Sequence, residues 1–385
     1  MIRDPEAFGI LLATIERFVR ERLIPREQEV VDTDAIPQDI VADMRRMGLF
    51  GLTIPEEYGG LGLTMEEEVL AAMAWCRASP AFRSIAGTNN GIGSLGLVFD
   101  GTEAQKKKYL PRLASGELIG SFALTEPGSG SDAGSLTTRA KREGDSYVLN
   151  GGKRFITNAP QAGLFTVMAR TDPESKDAAG VSAFIVERGT PGLTVGKPDR
   201  KMGQRGAQTA DVIFENARVP AENVIGGVEG RGFKTAMKVL DKARLNIAAV
   251  CVGAATRILE ESLQYAIERR QFGQPIGEFQ LVQAMLADSQ TELYAARSMT
   301  LDAARRRDAG ESVTLEASCC KLYASEMVGR VADRGVQIHG GAGYMQESVV
   351  ERFYRDVRLF RLYEGTSQIQ QLVIARNMIR QARKR

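Results

Sequence analysis

The sequence has few of the residues that metal centres and hydrolytic sites require. His339 is its single histidine, and the cysteines include no C-x-x-C pair: Cys76, Cys251, Cys319 and Cys320. A histidine zinc site is therefore disfavoured, and a Ser-His-Asp triad would depend on one imidazole in a chain without a G-x-S-x-G turn. The cysteines are typical of buried thiols in a reducing compartment, because a bridge between adjacent cysteines would be strained. We expect no metal site.

The sequence also lacks a long apolar run and a large charge of one sign. No segment reaches the roughly 18 to 20 apolar residues that cross a membrane. The first residues, MIRDPEAFGI, resemble neither a signal peptide nor a transit peptide. The net charge is only +2 and the basic residues are spread along the chain, so the KKK run at Lys106–Lys108 fits a solvated helix face. These features predict a cytoplasmic protein without a membrane span or a nucleic-acid partner.

What the sequence contains is typical of a folded protein with more than one domain. It has 385 residues, of which 43% are hydrophobic and 25% are charged. The first part has helical texture, and Ile15, Phe18 and Val19 share one helical face. Short runs rich in Val, Ile, Phe and Thr follow, and long helical stretches end the chain. The predicted domains are an α domain at 1–117, a β domain at 118–226 and an α domain at 227–385.

Residue periodicity predicts the elements of the last two domains. The β segment has strand-like runs such as LFTVMART and VSAFIVERG, at intervals typical of an antiparallel sandwich or barrel. In the last domain, apolar residues recur at helical spacing, for example Leu286, Leu293 and Ala296. The expected helices there span residues 233–270, 278–308, 312–338 and 366–383.

The segment GIGSLG (Gly91–Gly96) matches the G-x-G-x-x-G pattern of dinucleotide-binding loops. That pattern binds pyrophosphate when it follows a buried strand inside a βαβ unit. The preceding residues SIAGTNN are no buried strand, and no βαβ unit follows. We therefore interpret these glycines as positions that let helices pack closely.

Two motifs of the β domain have a composition suited to a flat polar ligand. ALTEPGSGSDAGS (Ala123–Ser135) runs from a strand into glycines and hydroxyl residues, whose backbone N–H groups are able to surround a ring or a phosphate. KRFITNA (Lys153–Ala159) places Phe155 and Thr157 on the same side of a strand. Taken singly, the first motif is better explained by an ordinary Gly/Ser hairpin loop, and a half-buried strand also explains the second.

Two motifs of the last domain lie where helices are expected to end. ERRQFGQPIGEFQ (Glu268–Gln280) interrupts a helix with Gly and Pro, and leaves Arg269 and Arg270 at the C-terminal end, where they also suit the helix dipole. QIHGGAGY (Gln337–Tyr344) has adjacent glycines that either cap a helix or let its backbone approach a ligand. Each motif alone leaves both interpretations open.

The segment RLYEGT (Arg361–Thr366) places the carboxylate of Glu364 between an aromatic residue and a glycine. Thr366 is able to cap the helical run that follows, and an acid near a helix N-terminus is electrostatically favourable. Taken alone, the motif is a helix start, and its carboxylate needs no chemical role.

In this order and at these spacings, the motifs together resemble the acyl-CoA dehydrogenase family of flavoproteins. The resemblance rests on ALTEPGSGSD, KRFITNA, RRQFGQPI, QIHGGAGYMQE and RLYEGTSQIQ, and it covers nearly the whole chain. It implies an N-terminal helical domain, a middle antiparallel β-barrel and a C-terminal four-helix bundle, which agrees with the segmentation above. It also implies a homotetramer, a dimer of dimers.

The resemblance further implies that the chain binds FAD. The residues that would hold the isoalloxazine ring are Phe122, Leu124, Thr125, Gly130, Ser131, Phe155 and Thr157. Those that would hold the adenine and pyrophosphate end of a flavin seated mainly in a neighbouring subunit are Arg269, Gln280, Gln337, Gly340 and Gly341. Thr366 and Gln368 match further flavin contacts. If so, an isolated subunit lacks a complete site.

The resemblance gives Glu364 a chemical role. The family's base removes the α-proton of an acyl-CoA thioester while a hydride leaves the β-carbon for flavin N5, and members with YEGT carry the base at this position. A buried carboxylate is a stronger base than one in water, since burial disfavours its charge. Some branches of the family carry the base at the position of Ala243, but alanine has no group that can accept a proton. The positions that match substrate contacts are Ser131, Asp241, Arg244 and Gly365.

The implied reaction is the α,β-dehydrogenation of a short- or medium-chain acyl-CoA to the trans-2-enoyl-CoA, with electrons passed to an electron-transferring flavoprotein. Arg83 matches an arginine with which glutaryl-CoA dehydrogenases bind the distal carboxylate of a dicarboxylic acyl chain, but Cys76 replaces the acid that accompanies it. A plain acyl chain is therefore favoured over a dicarboxylic one. Three further hypotheses compete with a dehydrogenase. One is an acyl-CoA oxidase, although the chains of such oxidases are commonly longer. The others are a related flavoprotein lyase and a helical scaffold without enzymatic activity.

Overall fold

The structure is a computed structural model that describes residues 1–175 and 178–383. Its N-terminal part is helical, as predicted. The α-helices there are α1 (Pro5–Phe18), α2 (Glu27–Thr33), α3 (Gln38–Arg46), α4 (Met65–Trp75), α5 (Pro80–Thr88), α6 (Leu95–Asp100) and α7 (Glu103–Ala114).

Side-chain caps fix where the N-terminal helices begin. The Asp4 carboxylate accepts hydrogen bonds from the first backbone N–H groups of α1. Thr64 and Glu67 form a reciprocal capping box at the start of α4. The apolar face predicted for the first helix is confirmed, because Ile15 and Phe18 are buried in the core of this region.

The middle part is a β-sheet, which confirms the predicted α-β-α order. Its strands are β1 (Gly120–Ala123), β2 (Arg139–Glu143), β3 (Ser146–Thr157), β4 (Leu164–Arg170), β5 (Val181–Glu187), β6 (Leu193–Val195) and β7 (Thr209–Pro220). They pair in the order β1-β4-β2-β3-β7-β6, and β5 pairs with β4. The sheet differs from the expected antiparallel one in two pairings, since β1 and β2 both run parallel to β4.

The parallel pairings explain where the Gly/Ser loop lies. β5 pairs with the whole length of β4, so β1 and β2 lie one after the other along its opposite edge. The loop at residues 124–138 leaves the sheet between them. The loop residues therefore leave the ladder at the sheet edge, and some of their backbone N–H groups bond within the loop instead, for example Thr137 N and Thr138 N to Glu126.

Strand β4 is buried on both faces, which is why it reads as a continuous apolar run. Phe165 and Val167 point into the core enclosed by the sheet. Leu164 and Met168 pack in a second core, which the sheet shares with α7 and the start of the first long helix of the last domain.

The C-terminal part contains the four predicted helices and a shorter one. They are α8 (Gly232–Glu268), α9 (Gln280–Asp308), α10 (Thr314–His339), α11 (Val349–Val357) and α12 (Ser367–Ala382). A small hairpin of β8 (Arg270–Gln271) and β9 (Gln274–Pro275) joins α8 to α9. Helix α4 contributes to the core of this bundle, so the first and last regions share one apolar interior.

Two further sequence expectations concern packing and membranes. Gly93 of GIGSLG packs against β1, since a Cβ added there would lie 3.0 Å from the carbonyl carbon of Gly120; this glycine therefore serves close packing. No helix within residues 1–175 and 178–383 is long and apolar enough to cross a membrane. The domain borders after residues 117 and 226 stay predictions.

Candidate active site

The turn between α11 and α12 presents Glu364. Glu364 has φ 53° and Gly365 has φ 90°, so two successive residues adopt left-handed backbone conformations. Thr366 caps α12, and its Oγ1 accepts a hydrogen bond from Ile369 N at 3.2 Å. The predicted helix start is thus confirmed, but Glu364 lies before the cap in a conformation that favours glycine.

The carboxylate of Glu364 faces positive charge in a buried setting. Its Oε2 is buried and has no hydrogen-bond partner among the described residues. Burial raises the pKa of Glu364, and the positive charges of Arg83, Lys321 and Arg244 oppose that rise. Such an atom is available to accept a proton, and the surrounding cations stabilise the ionised form.

Helix α8 connects this carboxylate to a large cavity. Asp241 lines the cavity, whose volume is about 380 Å³, together with Lys238, Arg307 and Thr314. Arg244, one helical turn further along α8, is buried and donates from Nη1 to Asp241 Oδ1. The two residues predicted to contact substrate therefore lie between the cavity and Glu364.

Beyond Glu364, Arg83 borders a much smaller cavity. Its volume is about 20 Å³, and Glu68, Trp75 and Asn246 line it with Arg83. Arg83 Nη2 donates to Asn246 Oδ1. Asn246 Nδ2 in turn donates to Glu68 Oε1 at 2.8 Å, and Glu68 Oε2 forms an ion pair with Lys242 at 3.0 Å. Such a cavity has room for about one water molecule.

The structure brings together the residues of the β domain that were predicted to hold a flavin ring. Arg154 N donates to Thr125 O at 2.8 Å, and Ser121 Oγ donates to Thr157 O at 2.7 Å, so β3 lies beside β1 and the start of the loop. Phe155 has φ 58° and its side chain is 61% exposed. Phe122 and Leu124 are buried, whereas Gly130 and Ser131 are exposed in the loop.

A buried ion pair holds this loop, and the sequence did not indicate it. Lys153 Nζ donates to Glu126 Oε1 at 2.7 Å and to Leu124 O at 3.2 Å. Glu126 also accepts from Thr137 N at 2.6 Å and from Thr138 N at 2.9 Å. Burial alone would raise the pKa of Glu126, but the Lys153 charge and these hydrogen bonds lower it to about 2. The pair ties both ends of the loop to β3.

The bundle residues predicted to bind the other end of FAD lie at one end of the bundle. Arg269 follows α8, Gln280 begins α9, and Gln337 lies in the last turn of α10, before Gly340 and Gly341. The rings of Tyr265 and His339 stack at 4.2 Å, which places the ends of α8 and α10 side by side.

No hydrogen bond, ion pair or ring contact within residues 1–175 and 178–383 joins this bundle group to the β-domain group. Within the described part of one chain the two groups are therefore not in direct contact through such interactions. Of the remaining predicted flavin contacts, Thr366 caps α12 and Gln368 is exposed in its first turn.

Sequence reasoning missed the polar residues that support the site. Lys321 and Gln370 are fully buried beside the turn that carries Glu364, and Asn246 joins Arg83 to Glu68. One signal was present: Lys321 stands in the otherwise apolar helical run CCKLYA, where a lysine needs a specific partner.

The fold joins a helical, a β and a second helical region, and its candidate active site holds the carboxylate of Glu364, whose buried Oε2 faces three cations. The chain belongs to the acyl-CoA dehydrogenase family. Family models match it over three stretches: the acyl-CoA dehydrogenase N-terminal domain at residues 6–117, the middle domain at 121–217 and the C-terminal domain at 230–379.

Characterised relatives cover almost the whole chain. An acyl-CoA dehydrogenase of Bacillus subtilis is 42% identical over 365 residues, 95% of this chain and 96% of its own. The human mitochondrial short-chain specific acyl-CoA dehydrogenase is 40% identical over 379 residues, 98% of this chain and 92% of its own. The CarC subunit of the caffeyl-CoA reductase–Etf complex of Acetobacterium woodii is 44% identical over 347 residues, 90% of this chain and 91% of its own.

Solved structures of family members also superpose on this chain. Butyryl-CoA dehydrogenase of Megasphaera elsdenii superposes with a TM-score of 0.94 at 35% identity, over 98% of this chain and 100% of that chain. An acyl-CoA dehydrogenase of Bacillus anthracis, solved with FAD, superposes with a TM-score of 0.93 at 37% identity, over 99% of this chain and 68% of that chain. The protein is thus an oxidoreductase of this family.

FAD is the cofactor of this family, and the residues present here fit it. The ring of Phe155 is exposed, and the residue before it, Arg154, donates from its backbone N to Thr125 O at the start of the Gly/Ser loop. A Cβ added to Gly128 or Gly130 would meet nothing within 4 Å, so the loop leaves open space above the sheet edge. An exposed aromatic residue near a glycine-containing loop with open space suits an isoalloxazine ring.

Proposed function

We propose that this protein catalyses the FAD-dependent α,β-dehydrogenation of a short- or medium-chain acyl-CoA to the trans-2-enoyl-CoA, with Glu364 as the base. The observation that carries the proposal is the buried, unpartnered Oε2 of Glu364 beside Arg83, Arg244 and Lys321. A carboxylate whose pKa is raised by burial, and whose Oε2 lacks a hydrogen-bond donor among the described residues, is able to take a proton from carbon.

In the proposed reaction Glu364 removes the α-proton of the thioester. FAD, when bound, accepts the hydride that leaves the β-carbon, so that the substrate loses one proton and one hydride and gains a double bond. The second base position known in the family supports the assignment, because Ala243 on α8 is buried and has no ionisable group. Glu364 is then the carboxylate available at this end of α8.

The path of the substrate is proposed along α8. The large cavity lined by Asp241 has two cations, Lys238 and Arg307, which suit the phosphates of coenzyme A. Arg244 and Glu364 follow, then Arg83 and the small cavity. Ser131 and Gly365 are retained as proposed substrate contacts. The small cavity, with a volume of about 20 Å³, leaves little room for an acyl tail beside Arg83, so a short acyl chain is proposed rather than a long one.

A second candidate, a glutaryl-CoA-type dicarboxylic acyl-CoA dehydrogenase, is favoured by one observation. Arg83 lies near Glu364 and borders the small cavity, where it is positioned to meet a terminal carboxylate. Against this, its Nη2 already donates to Asn246, and the fully buried Cys76 supplies no acid to orient it. The plain acyl chain therefore remains the first proposal.

The FAD site is proposed to need a second subunit. The predicted contacts to the ring are Phe122, Leu124, Thr125, Gly130, Ser131, Phe155 and Thr157, with Thr366 and Gln368. Those to the other end are Arg269, Gln280, Gln337, Gly340 and Gly341. Near the second group, Phe272 is 92% exposed and Leu281 is 82% exposed. Large apolar side chains at such exposure suit a protein interface, which supports the proposed homotetramer.

An electron-transferring flavoprotein is the proposed electron acceptor. The relative from Acetobacterium woodii that is named as a subunit of a caffeyl-CoA reductase–Etf complex supports an association with such a flavoprotein, since it is 44% identical to the chain. The direction of electron flow, from the acyl-CoA to the flavoprotein, is proposed from the family resemblance. An acyl-CoA oxidase, which passes electrons to oxygen, is the competing hypothesis. A cytoplasmic location stays a prediction from the sequence.

The proposal is tested by anaerobic bleaching of the purified flavoprotein with acyl-CoAs of different chain length, branching and terminal group. We expect butyryl-CoA or hexanoyl-CoA to bleach the flavin, and the electron-transferring flavoprotein to reoxidise it faster than oxygen does. A protein that binds no FAD, or whose flavin no acyl-CoA reduces, would contradict the proposal. Rapid reoxidation by oxygen would favour the oxidase.

A further inference from the structure

Two buried side chains that take no direct part in the proposed proton or hydride transfer hold the turn that carries Glu364. Lys321 on α10 and Gln370 on α12 are fully buried. Lys321 Nζ donates to Gly365 O at 2.7 Å. Gln370 Nε2 donates to Gly365 O at 3.1 Å and to Glu364 O at 3.2 Å. The peptide carbonyls on the C-terminal side of the base are thus fixed from two different helices.

The turn needs such support because its backbone is unfavourable. Glu364 has φ 53°, a conformation that a residue with a side chain rarely adopts. Conformations of this kind persist only where the surroundings hold them, and they concentrate at functional sites. Without the hydrogen bonds from Lys321 and Gln370, the peptide would be free to relax and to turn the carboxylate away.

Gly365 is matched to the same contacts. Its φ of 90° lies in the region that favours glycine. A Cβ added to Gly365 would also lie 2.6 Å from Gln370 Nε2, so any larger residue would displace the amide. The hydrogen bonds that Gln370 donates to this turn therefore need a glycine at position 365.

The two supporting residues differ in charge, so their substitution should affect the pH dependence of the reaction differently. Lys321 faces Cys251, Glu364, Arg244 and Glu326, and its positive charge opposes the rise in the pKa of Glu364. Gln370 carries no charge. Both would affect the geometry of the base, but only Lys321 would also affect its protonation.

We propose that Lys321 and Gln370 are positioning residues for the reaction, which hold the Glu364–Gly365 peptide so that the carboxylate meets the substrate α-carbon in one orientation. The inference rests on the proposed role of Glu364 as base. A displacement of about 1 Å at a reacting group is able to cost on the order of a hundredfold in rate.

The test compares Lys321→Met and Gln370→Leu with the wild type in anaerobic stopped-flow reduction by butyryl-CoA. Each purified holoenzyme is first checked for FAD content and melting temperature. We expect both variants to lose on the order of ten- to a hundredfold in the rate constant of flavin reduction, with little change in acyl-CoA affinity.

The pH profile separates positioning from general destabilisation. Removal of the Lys321 charge should move the acid limb of the reduction rate to higher pH, because Glu364 then takes up a proton more readily. Arg83 and Arg244, the other cations that face Glu364, are unchanged in this variant. Gln370→Leu should leave the limb in place. The control is Ser318→Ala on α10, whose buried hydroxyl bonds only to Thr314 O of its own helix; wild-type kinetics are expected.

A double variant distinguishes this inference from the proposed function itself. If Gln370 acts through Glu364, then adding Gln370→Leu to Glu364→Gln should lower the residual rate no further. A further loss of the same size in that background would overturn the inference, and so would wild-type rates in both Lys321→Met and Gln370→Leu. Full activity of Glu364→Gln would instead refute the base, and with it this inference.

Discussion

Arg83 on α5 donates a hydrogen bond from Nη2 to Asn246 Oδ1 on α8, and Asn246 Nδ2 donates in turn to Oε1 of the buried Glu68. The guanidinium is therefore held near Glu364 by an amide rather than by an adjacent acid. Gly87 makes room for it, because a Cβ added there would overlap the Arg83 side chain. The predictions on substrate preference and on the protonation of Glu364 start from this arrangement.

The first prediction concerns substrate preference. We expect butyryl-CoA to reduce the flavin of the wild type faster than glutaryl-CoA does, because Arg83 is already committed to Asn246 and has no adjacent acid. Arg83→Met should keep this order. The measurement is anaerobic stopped-flow reduction with both substrates. If glutaryl-CoA is the faster substrate and Arg83→Met reverses the order, the dicarboxylic hypothesis is correct.

The second prediction concerns pH. A base acts when it is deprotonated, so the reduction rate should fall as pH decreases through the pKa of Glu364. Since burial raises that pKa, the fall should occur above 4.5, the ordinary value for glutamate. Arg83→Met should move it to still higher pH, because a cation that opposes the rise is lost.

The control for this profile is Arg77→Met, since Arg77 pairs with Glu260 at the protein surface. It should keep the wild-type profile. An acid limb that moves to lower pH in Arg83→Met would contradict the electrostatic assignment.

The third prediction concerns the base. Glu364→Gln should keep FAD and lose turnover by roughly a hundred- to ten-thousandfold, because the amide preserves shape but removes basicity. Flavin absorbance and steady-state turnover measure the two effects. Glu215→Gln, at an exposed position of β7, is the matched control. Near-normal turnover of Glu364→Gln would refute the assignment.

The fourth prediction concerns FAD retention. Arg269→Ala should lower the ratio of flavin to protein after gel filtration more than it lowers the turnover of the flavin that remains. A guanidinium binds pyrophosphate oxygens in a fork, and its loss leaves their charge poorly paired. Arg270→Ala is the matched control, since Arg270 donates to Gly273 O within its own hairpin. Unchanged occupancy in an intact oligomer would count against a flavin site shared between subunits.

The fifth prediction concerns the ion pair under the Gly/Ser loop. Lys153→Met should lower the free energy of unfolding by about 3 to 5 kcal/mol, because it leaves the carboxylate of Glu126 buried without its cation. Equilibrium unfolding in urea measures the loss, and FAD retention should fall with it. Lys141→Met, at an exposed position of β2, should be close to neutral.

The same pair gives a pH dependence of stability. The folded-state pKa of Glu126 is lowered to about 2 from an ordinary value of 4.5. Its contribution to stability is therefore present above pH 4.5 and is lost as pH falls toward 2. Glu126→Gln should show less loss of stability in this window than the wild type does.

Local sequence patterns were sufficient to predict the order of the helices and strands along the chain. The helical spacing of apolar residues predicted α8, α9, α10 and α12 within a few residues of their observed ends. The parallel pairing of β1 and β2 with β4 was not predicted, because strand direction depends on how the chain enters the sheet and not on residue alternation. The surroundings of the base were missed for a similar reason, since Lys321 and Gly365 are far apart in sequence.

The sequence by itself determined the α-β-α order, the helix ends and the position of a carboxylate before a capped helix, because periodicity and capping act between residues a few positions apart. Its motifs also indicated the family. Only the tertiary structure decided that Glu364 lies among Arg83, Arg244 and Lys321 with its Oε2 unpartnered. Charge and burial act through space, and α5, α8 and α10 meet at this turn only after the first and last regions pack into one interior.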